Sequence, residues 1–458
     1  MEVVLPRGIR TSPHTPCENG DVAGELEPGS VTVNKAVQTT GKVAILVGGG
    51  PAPGINGVIS AATIRCLTEG RVVLGIEQGF KWIMQGDVSR VRPLTIEEVS
   101  RLHFRGGSIL KTARANPTTD PTHLEQALNS LSQLGVTGLI TIGGDDTCFS
   151  ALTLERAARG RLRVVHVPKT IDNDLDLPAG VSTFGFQTAR DLGARIVANI
   201  LEDARTTSHW FFVVAMGRKA GHLALGIGKA AGATLTLIPE EFPERPIRLQ
   251  KVADILAGAI IKRLSNGRED GVAVLAEGIA EVMDPQELTA LGSVKRDEHG
   301  HIELAELDVG EVLKEEVLTR LTAYGLAPKI RVKDLGFELR CTDPIPYDME
   351  YCRDLGYCAA DCLLNGGTAV MVAVVNGRFS PIPFDQILDP VTKRTRVRMV
   401  DVESESYRIA RRYMIRLGPE DFERDERAAA CAAVVGLTPS KFRERFGYVV
   451  EHETPKEG

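Results

Sequence analysis

The sequence predicts an α/β fold in which buried parallel strands alternate with helices. Short apolar runs recur along the chain, and segments with helical spacing separate them. Several of the runs end in glycine or polar residues, and parallel sheets bind their ligands at these strand ends. The 458 residues exceed one ordinary domain and fit two or three.

The predicted elements begin after residues 1–40, which show no sustained period and are interpreted as an N-terminal extension. A first strand at 43–47 opens into three glycines, and a helix begins near Gly54. Residues 293–303 are predicted to be a solvated loop. Further strands are predicted at 138–142, 163–167 (ended by Pro168), 211–214, 272–275 and 370–375. Further helices are predicted at 147–158, 252–264 and 353–364.

Composition excludes several classes of protein. The net charge of -6 gives no general attraction to nucleic acid or anionic membrane, and no apolar run approaches a membrane span. The N-terminus has no evident signal peptide. None of the eight cysteines forms a CxxC pair, and Cys358 and Cys362 are expected on one helix. We therefore expect reduced thiols and a cytoplasmic protein.

Two glycine-containing turns follow predicted strands. Gly48-Gly49-Gly50 and the helix after it are typical of a phosphate loop or, with equal weight, of a tight turn. In Gly143-Gly144-Asp145-Asp146-Thr147, an aspartate at the helix start is either an N-cap or a functional carboxylate. Two adjacent carboxylates repel each other, and a magnesium ion would compensate that cost. We therefore favour a metal-binding role.

The segment 168–174, Pro-Lys-Thr-Ile-Asp-Asn-Asp, favours phosphoryl transfer more strongly. Directly after a strand it brings together Lys169, Thr170, Asp172 and Asp174. Phosphoryl transfer needs a base near the attacking hydroxyl and cations on the phosphate oxygens. A polar surface turn is the plainer alternative, but it explains the combination less well.

Three more segments carry residues suited to a sugar phosphate. Met216-Gly217-Arg218-Lys219 contains an arginine able to bind phosphate oxygens in a bidentate manner. Glu277, at the end of a strand, suits sugar hydroxyls or a helix cap. Residues 331–340 carry an arginine at each end, which in isolation reads as surface charge.

In combination and order, these six segments resemble the phosphofructokinase family over roughly residues 42–416. The resemblance implies two Rossmann-like three-layer α/β/α domains with the active site in the cleft between them. It implies a donor domain at 41–183 plus 340–399, a sugar-phosphate domain at 184–339 plus 400–440, and a C-terminal tail at 441–458. It further implies a homo-oligomer, dimer or tetramer, in which a neighbouring subunit supplies one arginine.

The same resemblance implies individual roles. Asp172 matches the general base, Asp145 the ligand of Mg²⁺, and Lys169, Thr170 and Arg218 act beside the base. Donor contacts are implied for Gly50, Arg114, Gly144, Asp146 and Lys169. Contacts to fructose 6-phosphate are implied for Thr170, Asp172, Asp174, Met216, Gly217, Arg218, Glu277, Arg331 and Arg340.

Two positions bear on the donor. ATP-dependent members of the family typically have glycine where this chain has Asp146, and most have glycine where it has Lys169. An aspartate fills the space of the ATP α-phosphate and adds a repelling charge, whereas the lysine neutralises charge on pyrophosphate. The chain thus resembles the pyrophosphate-dependent subgroup, and Asp146 carries this inference.

Several alternatives stay open on the sequence alone. Phe337 stands where many family members have His or Tyr near the 6-phosphate, so a related acceptor such as sedoheptulose 7-phosphate is retained. An ATP-dependent phosphofructokinase is the second enzyme hypothesis. A catalytically silent regulatory subunit is the third, although the intact Asp145, Asp172 and Asp174 argue against it. A dehydrogenase is disfavoured because the glycine loop lacks the dinucleotide fingerprint.

Overall fold

The structure, a computed structural model, describes residues 41–290, 308–389, 391 and 395–450. The N-terminal extension, the loop predicted at 293–303 and the last eight residues of the predicted tail lie outside these ranges. The described strands are β1 Lys42–Val47, β2 Val73–Ile76, β3 Val91–Pro93, β4 Val136–Gly143, β5 Arg163–Thr170, β6 Phe184–Gly185, β7 Trp210–Ala215, β8 Leu235–Leu237, β9 Gly271–Ala276, β10 Ile330–Leu335, β11 Val370–Met371, β12 Val374–Val375, β13 Arg378–Phe379 and β14 Ile382–Pro383. The helices are α1 Ile55–Thr68, α2 Ile96–Val99, α3 Pro121–Gln133, α4 Asp145–Ala158, α5 Phe186–Thr207, α6 His222–Ala231, α7 Leu249–Ser265, α8 Ile279–Val282, α9 Pro285–Ala290, α10 Val309–Thr322, α11 Phe337–Arg340, α12 Pro346–Leu364, α13 Glu405–Tyr413, α14 Glu420–Glu423, α15 Asp425–Val434 and α16 Pro439–Phe446.

Two main sheets organise the described chain. The larger has the order β14-β11-β5-β4-β1-β2-β3, with β6 added beside β5, and the smaller has the order β10-β7-β9-β8. The central strands of both are parallel, as predicted, whereas β3 and β14 join the larger sheet antiparallel. The α/β prediction with two parallel sheets is therefore confirmed, while the domain boundaries given above stay a prediction.

Alternating residues of β1 show why this sheet is covered on both faces. Ala44 and Leu46 pack into a core with residues of α3 and α4. Val43 and Ile45 pack on the other face, in the core that contains residues of α1 and α12. A strand buried on both faces must be apolar throughout, which explains the uninterrupted run that predicted it.

Several predicted boundaries were wrong. Pro168 does not end β5, which continues to Thr170 because β6 supplies a further partner. The run 370–375 is two short strands, β11 in the larger sheet and β12 in a hairpin with β13. The segment beginning at Arg331 contains an unpredicted strand, β10. The helix predicted at 147–158 begins at Asp145, so Gly144 occupies the N-cap position.

Asp348, on α12, holds the carboxyl end of β5 through β6 and the start of α5. Its side chain is fully buried and accepts hydrogen bonds from the backbone N–H of Gly185 at 2.9 Å and from Thr188 N–H at 2.9 Å and Oγ1 at 2.5 Å. It thereby caps the start of α5, where Gly185 has no capping side chain. Because Gly185 pairs with Thr170, this carboxylate also holds β6 against β5.

No helix in the described ranges is long and apolar enough to cross a membrane. The seven cysteines that the structure describes are all free thiols, and Cys358 and Cys362 lie on α12 as predicted. The reducing compartment stays a prediction.

Replacing Asp348 by Ala is expected to lower the free energy of unfolding by about 3 kcal/mol, because three buried donors lose their acceptor. Urea unfolding followed by circular dichroism measures this. The matched control is Asp191→Ala on α5, which removes an exposed ion pair to Arg195 and should cost within about 0.5 kcal/mol. Equal, small effects in both variants would contradict the role given to Asp348.

Candidate active site

The glycine loop and the turn after β4 meet at Thr147. The N–H of Gly48 donates to the carbonyl oxygen of Ile142 at 2.8 Å. A Cβ on Gly48 would lie 2.3 Å from Thr147 Oγ1, and a Cβ on Gly143 would lie 2.4 Å from Thr147 Cβ. Only glycine permits this approach, so both loops lie at the same edge of the larger sheet.

Lys169, near the end of β5, is buried between these loops. Its Nζ donates a hydrogen bond to the carbonyl oxygen of Gly50 at 2.6 Å, and the side chain is only 5% exposed. Burial lowers the pKa of Lys169 to about 8, although Asp172 and Asp174 oppose the shift. The cation thus lies at the glycine loop, where a phosphate would bind.

Asp172 and Asp174 follow β5 on a sharp turn. The backbone N–H of Asp172 donates to Thr170 Oγ1 at 3.0 Å, and Asn173 between the two carboxylates has a left-handed φ of 57°. Burial, with the charges of Asp174 and Glu277, raises the pKa of Asp172 to about 7. Burial and Asp145 raise the pKa of Asp174 as well. A carboxylate with a pKa near neutrality is suited to accept a proton.

Asp145 begins α4 and is paired across the site. Its Oδ2 accepts a hydrogen bond from Lys219 Nζ at 2.5 Å, and its Oδ1 accepts the N–H of Asp146 at 2.9 Å. Burial alone would raise the pKa of Asp145, but Lys219 and Arg218 hold it below its ordinary value. Lys219 follows β7, so this ion pair joins the edges of the two sheets.

The donor set around Asp145 suits a hard cation. In the ranges that the structure describes, no group of three or more His, Cys, Asp or Glu residues forms a complete metal cage. The candidate ligands are instead carboxylate oxygens, with Asp145 near enough to Asp174 to raise the pKa of Asp174. Mg²⁺ commonly binds through one or two carboxylates and completes its shell with water and phosphate. The residues present therefore fit magnesium.

The second sheet contributes the loops after β7 and β9. The N–H of Gly278 donates to the carbonyl oxygen of Gly217 at 3.0 Å, and Glu277 Oε2 accepts the N–H of Gly217 at 3.3 Å. Arg218, which is exposed, lies near enough to Asp172 to oppose the rise in its pKa. Met216 packs beside Gly336, so the predicted sugar-phosphate residues in the loops after β7 and β9 lie at the edge where β10 ends.

The two predicted phosphate arginines lie in different places. Arg340 is at the glycine loop, with Nη1 3.4 Å from where a Cβ on Gly50 would lie. Its guanidinium stacks 4.5 Å from the centroid of the Phe337 ring, and its buried Nε has no hydrogen-bond partner among the described residues. Arg331 pairs with Phe211 at the start of β7, which is the opposite end of the sheet. The two arginines therefore do not meet within one chain, as expected if a neighbouring subunit supplies one of them, and their roles stay predictions.

The remaining donor residues surround the glycine loop. Ala113 accepts the N–H of Gly49 at 2.9 Å, which brings the adjacent Arg114 close enough to Lys169 to lower its pKa. Gly144 lies against the backbone of Lys169, and Asp146 is exposed in the first turn of α4. The predicted site residues other than Arg331 therefore lie on loops and turns at the carboxyl ends of the strands of the two sheets or beside them.

Residues that were given no role in the sequence analysis also lie at the site. Lys219 stands in the motif that begins at Met216 but was assigned no contact, and it pairs with Asp145. His166 lies fully buried beneath the site, between Thr141 Oγ1 at 2.9 Å and the carbonyl oxygen of Gly143 at 3.1 Å. Arg398 contacts Asn173 from a segment with no recognisable signal. The sequence signal that could have identified Lys219 was Asp145 itself, because this carboxylate needs a compensating cation nearby.

Comparison with known proteins supplies independent information. The family model described as Phosphofructokinase matches residues 42–363. The chain is 49% identical over 415 residues to the pyrophosphate–fructose 6-phosphate 1-phosphotransferase of Thermotoga maritima, covering 90% of this chain and 99% of that protein. It is 48% identical over 433 residues to the protein of the same name from Naegleria fowleri, covering 93% and 98%. The crystal structure of pyrophosphate-dependent phosphofructokinase from Nitrosospira multiformis superimposes with a TM-score of 0.63 at 16% identity, covering 86% of this chain and 92% of that one.

Proposed function

The chain belongs to the phosphofructokinase family, and we propose that it transfers a phosphoryl group reversibly from pyrophosphate to the 1-hydroxyl of fructose 6-phosphate. The products are fructose 1,6-bisphosphate and phosphate. The names of two relatives that span nearly the whole folded chain support this activity. The observation that carries the choice of donor is Asp146 in the exposed first turn of α4, two residues after Gly144, together with Lys169 buried at Gly50.

In the proposed mechanism, Asp172 accepts the proton of the 1-hydroxyl as that oxygen attacks the phosphoryl group. Lys169 and Arg114 bind the pyrophosphate oxygens, and Arg218 offsets charge that develops during transfer. Asp145 is suited to hold Mg²⁺, which when bound neutralises phosphate charge. Most of the rate enhancement then comes from fixed cations and from orientation, because phosphoryl transfer needs little covalent chemistry from the protein.

The acceptor site is proposed to lie along the second sheet. Met216, Gly217 and Glu277 surround the sugar, and Arg340 binds its phosphate. The buried Nε of Arg340 has no acceptor within the part of the chain that the structure describes, which supports this role, since a buried guanidinium nitrogen normally has an acceptor. Phe337 offers a ring face to Arg340 rather than a hydrogen bond to the sugar phosphate. Sedoheptulose 7-phosphate remains an acceptor to be assayed.

We also propose a homo-oligomer in which Arg331 serves the site of a neighbouring subunit. Arg331 is exposed on β10, an edge strand with one unpaired side. It lines a groove of about 810 Å³ with apolar Leu192 and Ile196 and cationic Arg195. A groove with both apolar and charged side chains, beside a strand edge that has no partner among the described residues, suits a second copy of this chain.

The donor assignment predicts a kcat/KM for pyrophosphate at least ~100-fold above that for ATP, because a misplaced like charge costs several kcal/mol. Asp146→Gly combined with Lys169→Gly should lower pyrophosphate use and raise ATP use. Asp146→Asn removes the negative charge but keeps the side-chain volume, so it shows which of the two excludes ATP. Coupled assays of fructose 1,6-bisphosphate formation measure all of these. Pyrophosphate use that survives unchanged in the double variant would show that these residues do not select the donor.

The acid–base assignment predicts a bell-shaped pH profile of kcat/KM in the forward direction. Activity should rise with pH through the pKa of Asp172, about 7, because only the carboxylate accepts the proton. It should fall above the pKa of Lys169, about 8, as the ammonium loses its charge. Lys169→Arg should abolish the fall at high pH, and Asp172→Ser should lower kcat at least ~100-fold. A flat profile from about pH 6 to about pH 9 is the contrary result.

The shared-site proposal predicts complementation between two inactive variants. Arg331→Ala and Asp172→Ser should each be nearly inactive alone, since one lacks a phosphate ligand and the other lacks the base. Hetero-oligomers made by co-expression should recover activity, because some sites then combine both intact residues. Activity is compared with that of the mixed, separately purified variants. No recovery in verified hetero-oligomers would place Arg331 outside the neighbour's site.

A further inference from the structure

One arginine outside every predicted motif contacts the loop that carries the proposed base. Arg398 lies in residues 397–400, here called the return segment, and its backbone N–H donates to the carbonyl oxygen of Asp174 at 2.8 Å. Its guanidinium donates through Nε to the carbonyl oxygen of Asn173 at 3.1 Å and through Nη2 to Asn173 Oδ1. Nη1 donates to the carbonyl oxygen of Val181 at 2.7 Å. Four hydrogen bonds from this single residue fix the loop.

The loop needs such support because of its backbone conformation. Asn173 has a φ of 57°, in the left-handed region that residues other than glycine rarely adopt. Its Oδ1 also accepts the N–H of Thr183 at 3.0 Å, so the asparagine is held from both sides. Strained residues persist where surrounding contacts determine their conformation. Since Asn173 separates Asp172 from Asp174, its conformation sets the direction of both carboxylates.

The return segment also contacts the second sheet. The Nε2 of His222, at the start of α6, donates to the carbonyl oxygen of Arg398 at 3.0 Å. Glu240 accepts the backbone N–H of Val400 at 2.9 Å and that of Gly221 at 2.9 Å. The segment therefore joins the loop of the base to the loop that follows β7.

We propose that Arg398 is a positioning residue for phosphoryl transfer, holding Asn173 in its left-handed conformation so that Asp172 meets the acceptor hydroxyl. Three of the five guanidinium N–H groups, one on each nitrogen, donate to protein oxygens, so the side chain is anchored to the loop and acts through it. The inference rests on the proposed role of Asp172. It goes beyond that role by identifying what holds the base in place.

Steady-state kinetics of Arg398→Gln test the proposal. A displacement of about 1 Å at the reacting group costs about 100-fold in rate, so kcat should fall ~100-fold while KM for fructose 6-phosphate changes less than about threefold. Arg398→Lys, which keeps the charge but has one donor nitrogen in place of three, should be intermediate. The matched control is Arg396→Gln, which removes an exposed ion pair to Asp176 at 2.8 Å and should leave kcat unchanged.

Amide hydrogen exchange over residues 172–175, measured on the same full-length proteins, needs no turnover. Exchange there should be at least ~10-fold faster in Arg398→Gln, because the loop loses its hydrogen bonds. The exchange measurement tests the positioning role independently of the substrates. A wild-type enzyme that is inactive with pyrophosphate would refute the proposed function. The exchange rates would still decide the role of Arg398.

If Arg398→Gln does not fold, Asn173→Gly takes its place. Glycine adopts the left-handed conformation freely but offers no Oδ1, so loosening of the loop should again lower kcat with little change in KM. A folded Arg398→Gln with kcat within about threefold of wild type and unchanged exchange would overturn the proposal. A KM that rises as far as kcat falls would overturn it too, since that would make Arg398 a binding residue.

Discussion

The buried ammonium of Lys169 is the group on which the active site depends. A desolvated cation is costly, and here a backbone carbonyl oxygen and nearby carboxylates offset the cost. The same arrangement draws the glycine loop against β5 and permits Asp145, Asp172 and Asp174 to lie close together. Without a cation among them, these carboxylates would repel one another strongly. The chemistry of the site therefore follows from how charge is balanced at one edge of the larger sheet.

Part of that balance comes from the second sheet. Lys219 and Arg218, both after β7, offset the charges of Asp145 and Asp172. Because these cations are tied to a different sheet, any relative displacement of the two sheets would change the protonation of the base as well as its position. The return segment opposes such displacement, since it makes hydrogen bonds to loops of both sheets.

Local patterns predicted the central strands, the strand-end loops and the charged residues at their ends. They failed where a distant partner decides the outcome. Pro168 does not end β5, because Phe184 and Gly185 extend its pairing. Arg398 and Asp348 are more than 150 residues from the groups that they contact, and neither lies in a recognisable motif. Arg331 lies at the opposite end of its sheet from Arg340 because register along β10 is a property of the sheet, and its role stays a prediction.

The most direct test of this account is the binding of methylenediphosphonate, a non-hydrolysable pyrophosphate analogue, with Mg²⁺ by isothermal titration calorimetry. If Lys169 binds the donor, Lys169→Met should weaken binding by at least ~10-fold, the loss of a charge-assisted contact. Lys229→Met, which removes an exposed lysine bonded to Ser406, should bind as wild type does. Unchanged affinity in Lys169→Met would contradict the account.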